Sequence, residues 1–479
     1  MIKLAPVHKH ELASFSYISI MMFAVTYVYG ILRVLKESLI LSLATAELIS
    51  AIKIWVIWPV SVLVIVFYMK MTDRVRRTRL FHCTNLFFVS FFILFATVIY
   101  PNYDQACLHI GKDLVTRLPS LRYLVATINN WPCGLFYAFS EMWTTAMLSI
   151  SVWEITNHIT SVEQSKRFYP LFGAFRGFGL LTASITASYV ATLFDSWQNT
   201  LQLSIAALVV AAGVLSTALM LLTRELGFDQ LNSESMSRLE NAKQQQQEHA
   251  SSLTESVKHI LKSPTILLIT SLILCYGLSL NLIEGVWKKV VELKFASNAN
   301  EIQRFIGLTY SGVGSFTIFF SLTGVAALKF LGWRRVAMAT PLVFGLTGFF
   351  FFGSVLGKNS QIVLMYGLPA LELATYMGAI NQVFARSSKN SFFDTTKEML
   401  YIPLSLEMRT KGKAAAETIG MRFGKGSGAL IQQVLLAMFG GSTLIGLAPI
   451  LGTGFFLVIA WWFYSIWRLD SLYRHKLDY

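Results

Sequence analysis

Long apolar windows recur along the whole chain, and few folds accommodate them. A helix that spans a bilayer needs roughly 20 mainly apolar residues. Twelve stretches qualify: about 13–35, 51–70, 80–100, 132–157, 168–194, 200–222, 264–287, 305–330, 336–357, 361–385, 413–439 and 444–467. Only 14% of the residues are charged, against roughly 25% in soluble domains. A soluble enzyme, a disordered chain and a nucleic-acid-binding protein are therefore poor readings. The first window is too long for a signal peptide and lacks a small-residue cleavage pattern, so it reads as a retained span. The expected fold is an all-α polytopic membrane protein in a lipid bilayer.

Charge sets the orientation. The net charge of +14 reads as the cytoplasmic excess of Lys and Arg. With both termini inside, inner segments hold 26 of the 40 basic residues and outer segments 11. The longest polar stretch, 224–263, divides the spans into six and six. The expected plan is an N-terminal lobe (1–223), a cytoplasmic linker with an amphipathic helix, and a C-terminal lobe (264–479). That is the layout of two-lobed secondary transporters, which bind substrate at the midplane between repeats. Two recurrences suggest related halves. Arg33 and Lys36 end the first span as Glu284 and Lys288 end the seventh, and Gly173–Arg176–Gly179 echoes Gly420–Arg422–Gly424.

Charges inside spans are the candidate chemistry, because each costs roughly 2.5–3.5 kcal/mol at a helix centre. Arg33 and Lys36 share a helical face, either snorkelling to the interface or forming a cationic wall. Glu37, four residues after Arg33, is placed to neutralise it and leave Lys36 free. Glu284 and Lys288 read as an i,i+4 pair that is either self-satisfied or a gate, with Lys289 interfacial. Glu141 has no charged neighbour within a turn, so its partner comes from another helix. Arg176 sits among glycines that suit close helix packing but still needs an anion. Arg422 and Lys425, with Gln432 and Gln433 beyond, read as a cavity wall. Glu372 is either a coupling acid or a partner for a nearby cation. Guanidinium and ammonium groups suit phosphates, and Tyr29, Trp143, Trp287 and Tyr310 are among the aromatics that offer faces to a base. By physics alone the substrate is an organic anion.

Several chemistries fail. GKGSG (424–428) lacks the GxxxxGK[ST] spacing of a phosphate loop. The four cysteines show no CxxC spacing. No nucleophile, metal or cofactor constellation stands out, so a membrane enzyme such as a lipid transferase is not favoured. A carrier of another organic anion and a receptor without flux share the architecture.

Five segments carry a family resemblance. YVYGILRVLKESLI (27–40), FYAFSEMWTTAMLSISVWEITNHIT (136–160), RFYPLFG (167–173), NLIEGVWKK (281–289) and KEMLYIPLSLEMRTKGKAAAETIGMRFGKGSGALIQQ (397–433) resemble stretches of the bacterial and plastidic ATP/ADP translocase family. The resemblance implies a twelve-span carrier similar to the major facilitator class. It implies ATP/ADP exchange, or net import of nucleotides with protons, or transport of another nucleotide such as NAD, GTP or UTP. It implies the inner membrane of an obligate intracellular bacterium, and a carrier of this size is expected to be a monomer. Family-implicated positions match Lys36, Glu141 and Glu284, plus one lysine among Lys397, Lys411, Lys413 and Lys425. Common members show RDTKDT in the first span. Here Val34, Leu35, Glu37 and Ser38 stand around Lys36, so two polar groups are replaced.

Overall fold

A computed structural model describes residues 7–8, 11–60, 63, 71, 75–160, 162–225, 263–357, 369–401, 404, 413–440 and 442–477. Among these there is no strand, and helices occupy every one of the twelve windows. They are α1 (Leu12–Leu43), α2 (from Ala46 into a wide π turn at Lys53–Ile57), α3 (from Arg77 to a π turn ending at Ile99) and α4 (131–159). Then come α5 (Val162–Val190), α6 (Trp197–Glu225) and α7 (Pro264–Lys294). The chain from Ala299 to Leu356 is helical except at Gly332, whose φ of 74° breaks it into α8 (299–331) and α9 (333–356). α10 (370–399), α11 (Lys413–Met438) and α12 (Ala448–Leu477) complete the bundle. The central linker, 226–262, lies outside the described residues.

Local sequence sets several of these ends. Ser263 caps α7 by accepting from the Ile266 N–H, and Pro264 takes the first helical position, where its missing donor costs nothing. Asn298 caps α8 on the N–H groups of Asn300 and Glu301. At the start of α1 the Glu11 carboxylate accepts from Arg167 at 2.7 and 2.9 Å and from Gln164 at 3.0 Å. Those donors, the guanidinium foremost, hold its pKa down at about 2.

Six described helices are long and apolar enough to cross a membrane. Two of them, α1 and α7, have 72% of their apolar window buried, against 39–44% for the other four. The former are the central posts; the latter turn about half their surface outward, as a lipid-facing helix must. α1 packs on α5 and α6, and α7 packs on α11 and α12, the same relation six helices later. The glycine echo lies at these seams. A Cβ on Gly179 would stand 2.5 Å from the Phe23 carbonyl oxygen of α1, and one on Gly424 would stand 3.3 Å from the Ile273 carbonyl oxygen of α7.

Helices α5 and α8 join the first six helices to the last six. A Cβ on Gly307 would meet the Ser188 Oγ at 2.3 Å and the Ser184 carbonyl oxygen at 2.9 Å. Backbone cannot yield as a flexible side chain does, and overpacking typically costs about 1–3 kcal/mol. Gly307→Val should therefore lower the melting temperature of the purified protein by several degrees. An unchanged melting temperature would show that this seam has slack.

Candidate central ion-pair site

The face of α1 bearing Arg33, Lys36 and Glu37 points into the bundle, with Lys36 5% and Glu37 2% exposed. The Lys36 ammonium pairs with Glu141 of α4 and lies over the Tyr137 ring, 4.7 Å from its centroid. Glu37 reaches across to α7, where the Lys288 Nζ stands 3.1 Å away. It also accepts from the Tyr310 hydroxyl of α8 at 3.0 and 3.1 Å. Lys288 pairs in turn with Glu284 at 2.8 Å, and the other oxygen of Glu284 lies 3.1 Å from Arg386 of α10. Arg386 donates to Gln382 at 3.0 Å. Arg33 donates to the Tyr29 hydroxyl at 2.6 Å and stacks 4.2 Å over the Tyr310 ring.

Five cations thus surround three acids once Lys53 of α2, below, is included. A buried ion pair gains little net stability, because desolvation offsets the attraction, yet removing one partner typically costs 3–5 kcal/mol. Such a network is poor as a stabiliser. It is well suited to hold a conformation that an incoming anion rearranges.

A second cluster joins the start of α2 to the end of α7. Lys289 stands 2.6 Å from Glu292 and 3.2 Å from Glu47. Glu292 accepts the Ala46 N–H at 2.7 Å, and Glu47 accepts the Leu444 N–H at 3.2 Å. Gln433 donates to the Glu47 carbonyl and to Ser50. All three charged groups are at most 8% exposed. Next to this seal a small cavity of about 10 Å³ lies between α2, α7 and α11, lined by Lys53, Glu284, Lys288, Asn281, Ser50 and Gln432 among others.

The model of one family, TLC ATP/ADP transporter, matches residues 2–473. The chain belongs to that family. It is 32% identical to ADP,ATP carrier protein 4 of Rickettsia bellii, covering 99% of this chain and 93% of that one. It is 35% identical to ADP,ATP carrier protein 1 of Chlamydia pneumoniae, covering 98% and 93%. Among solved structures, a bacterial homologue of the iron transporter ferroportin in its inward-facing state superposes with a TM-score of 0.58 at 10% identity, covering 97% of this chain and all of that one. The inward-open xylose transporter XylE of E. coli gives 0.54 at 12% identity, covering 96% and 95%. The fold is the two-lobed one expected from the spans, and it is major-facilitator-like, as the family resemblance implies.

Within this TLC fold, Lys36, Glu37, Glu141, Glu284 and Lys288 come together with Arg33 as one network. Some pairings differ from the sequence expectation. Glu37 does not neutralise Arg33; it is drawn to Lys288, and Lys36 takes Glu141 instead. Lys289 is not interfacial but 7% exposed between two carboxylates. Arg176 stands over the Trp153 ring at 5.7 Å, its buried Nε without a hydrogen-bond partner. Glu372 pairs with Lys294 at 3.3 Å, both about a quarter exposed, where such a pair is worth roughly 0–1 kcal/mol. The side chains of Arg422 and Lys425, and all of Lys411, lie outside the described residues. Lys397 holds Glu417 at 2.9 Å and Lys413 holds Glu398 at 2.6 Å.

Two residues go unmarked in the sequence: Arg386 falls one residue past the window 361–385, and Lys53 sits at the very start of the window 51–70. A signal existed for the first. Glu141 and Arg386 are 245 residues apart, the spacing of the glycine echo, and Lys36 and Glu284 are 248 apart. The pair Lys36–Glu141 on α1 and α4 therefore recurs as Glu284–Arg386 on α7 and α10 with the signs exchanged. A π-type segment follows each α4 and α10 member, at Thr144–Ser151 and Lys389–Phe393. Such bulges cluster at functional sites. Lys36→Met should cut substrate uptake by about tenfold or more, equivalent to at least ~1.4 kcal/mol, while the protein stays folded. The swap K36E with E141K should restore the melting temperature without uptake. Transport by the swapped protein would show that the pair is structural only.

Proposed function

We propose that this chain exchanges ATP for ADP across the inner membrane of an intracellular bacterium, by alternating access between two six-helix lobes. The observation that carries the reading is the Glu37–Lys288 pair between α1 and α7, set in a net cationic network within a chain of the TLC family. Relatives that match along nearly their whole length are named ADP,ATP carriers. The lobes in this reading are 1–223 and 264–479, joined by 224–263, with both termini cytoplasmic as the Lys and Arg bias directs. The working unit is a monomer, and the chain moves its substrate without chemically changing it.

Phosphate oxygens compete with Glu37, Glu141 and Glu284 for Lys36, Lys288, Arg33 and Arg386. A nucleotide that takes these cations frees the acids and loosens the tie between lobes. It thus binds some conformers better than others, which is what drives a conformational cycle. Without nucleotide the ion pairs reform and hold the empty carrier in place, so return requires a second nucleotide, which is exchange.

A second reading has its own observation. The Glu141 side chain is 34% exposed although it faces Lys36, so water and a proton reach it. Proton-coupled net import follows if Glu141 carries that proton; carriage of another nucleotide such as NAD, GTP or UTP is a separate alternative. Uptake of labelled ATP into liposomes holding the purified protein separates the two. Uptake that requires internal ADP and ignores an uncoupler is the expected result. Uptake without internal nucleotide that an uncoupler abolishes would overturn exchange in favour of proton coupling.

A further inference from the structure

The ion pairs leave two cations of the central region without a carboxylate within 4 Å among the described residues, Arg33 and Lys53. Arg33 is accounted for by its stack on Tyr310 and its bond to Tyr29. Lys53 is not. It belongs to α2 of the first lobe, partly buried, and its Nζ donates to the Asn281 side-chain oxygen of α7 at 3.0 Å. The Asn281 amide nitrogen is committed to the Gly277 carbonyl at 2.9 Å, which turns the amide oxygen toward the lysine. Glu284 lines the same cavity, but both its oxygens are taken, by Lys288 and Arg386. A neutral amide compensates a buried ammonium poorly. Lys53 also opens the π-type turn Lys53–Ile57, a local irregularity that interrupts regular helix pairing where the side chain enters the cavity.

That cavity, about 10 Å³, has room for about one water, so an anion enters it only by displacing the Lys53–Asn281 bond. Its charged lining suits the phosphate end, since Lys53 and Lys288 both face it while Ser50, Asn281 and Gln432 add neutral polar groups. Its walls come from α2 of one lobe and from α7 and α11 of the other, so an anion held there touches both.

We propose that Lys53, supported by Asn281, is the subsite for the outermost phosphate of the nucleotide and the residue that selects di- and triphosphates over monophosphates. The assignment rests on the nucleotide-carrier reading above. Binding replaces the Lys53–Asn281 bond, in which only the donor is charged, by one to phosphate oxygen in which donor and acceptor are both charged. The second lobe then meets the same phosphate through Lys288.

The test is binding of ATP, ADP and AMP to the purified full-length protein, with melting temperature measured in parallel. Lys53→Met should weaken ATP and ADP about tenfold or more and AMP less than about twofold, collapsing the preference for longer phosphate chains. Lys53→Arg should recover most of it, because the cation is what matters. The ligand-free melting temperature of Lys53→Met should not fall, since the change removes a buried charge that no carboxylate offsets. ATP affinity within twofold of wild type, or an equal loss for all three ligands, would overturn the subsite. So would a loss that Lys53→Arg does not repair. If wild-type protein binds no nucleotide, the carrier reading fails first. Inorganic tripolyphosphate then tests the Lys53 site alone, and equal binding by wild type and Lys53→Met refutes it.

Discussion

The architecture depends on one constraint: charge taken out of water must be met by charge. In a bundle whose central posts α1 and α7 are mostly buried, Lys36, Glu37, Glu284 and Lys288 have no solvent to lean on. Each therefore takes a partner from another helix, and in doing so fixes which helices stand together. Lys36 chooses α4, Glu284 chooses α10, and Glu37 chooses α7. The last bond is the one that costs most to reconcile with movement, because it joins the lobes. Its persistence makes sense only if something other than water replaces it during a cycle, since water cannot be had cheaply at that depth.

Internal duplication explains the geometry, and sign inversion gives it direction. Helix relations repeat six helices on, and so do the close glycine contacts and the π-type segments of α4 and α10. The charges do not repeat. In the first half the cation rides on the central post and the acid on α4. In the second half the acid rides on the post and the cation on α10. Under the proposed carrier reading, an anion entering between the lobes is drawn to α1 on one side and to α10 on the other. A symmetric pair of cations on both posts would repel across the α1–α7 contact; the inversion allows Glu37 and Lys288 to bridge it.

The spans, the two-lobed plan and most of the central charges were legible in the sequence, because a charge inside an apolar window is conspicuous. Lys53 and Arg386 were not, since window-based reading ends a span where a charge appears. α10 runs on to Met399 past its apolar window, so Arg386 reads as loop. α2 begins at Ala46, so Lys53, at the edge of its window, reads as an interfacial end although it lies well inside the helix. The local pairing rule failed at Arg33 and Glu37 for a different reason. An i,i+4 pair on an exposed helix is worth a few tenths of a kcal/mol, and a buried cation on a facing helix outweighs it. Lys289 follows the same logic. Its outward assignment by position was overridden by Glu47 and Glu292, which two other segments bring to it.

Lys288 and Lys289 show how the centre and the seal are linked. Consecutive residues on a helix project about 100° apart, so Lys288 turns to Glu37 and Glu284 while Lys289 turns to Glu47 and Glu292. The seal is the stiffer of the two, because its carboxylates also satisfy the backbone N–H groups of Ala46 and Leu444. Opening it strands two backbone donors as well as an ammonium. In the central network phosphate takes the cations, and the cost falls on the freed carboxylates Glu37, Glu141 and Glu284 alone. Anion binding and opening of the seal are separate events, then, and α7 is the rigid element that carries both lysines. A small rotation or tilt of this one helix, permitted once Lys288 is released from Glu37, necessarily shifts Lys289 against its two acids. That is a physical route by which a bound anion biases the seal, and it needs no part beyond the two adjacent side chains and the helix that holds them.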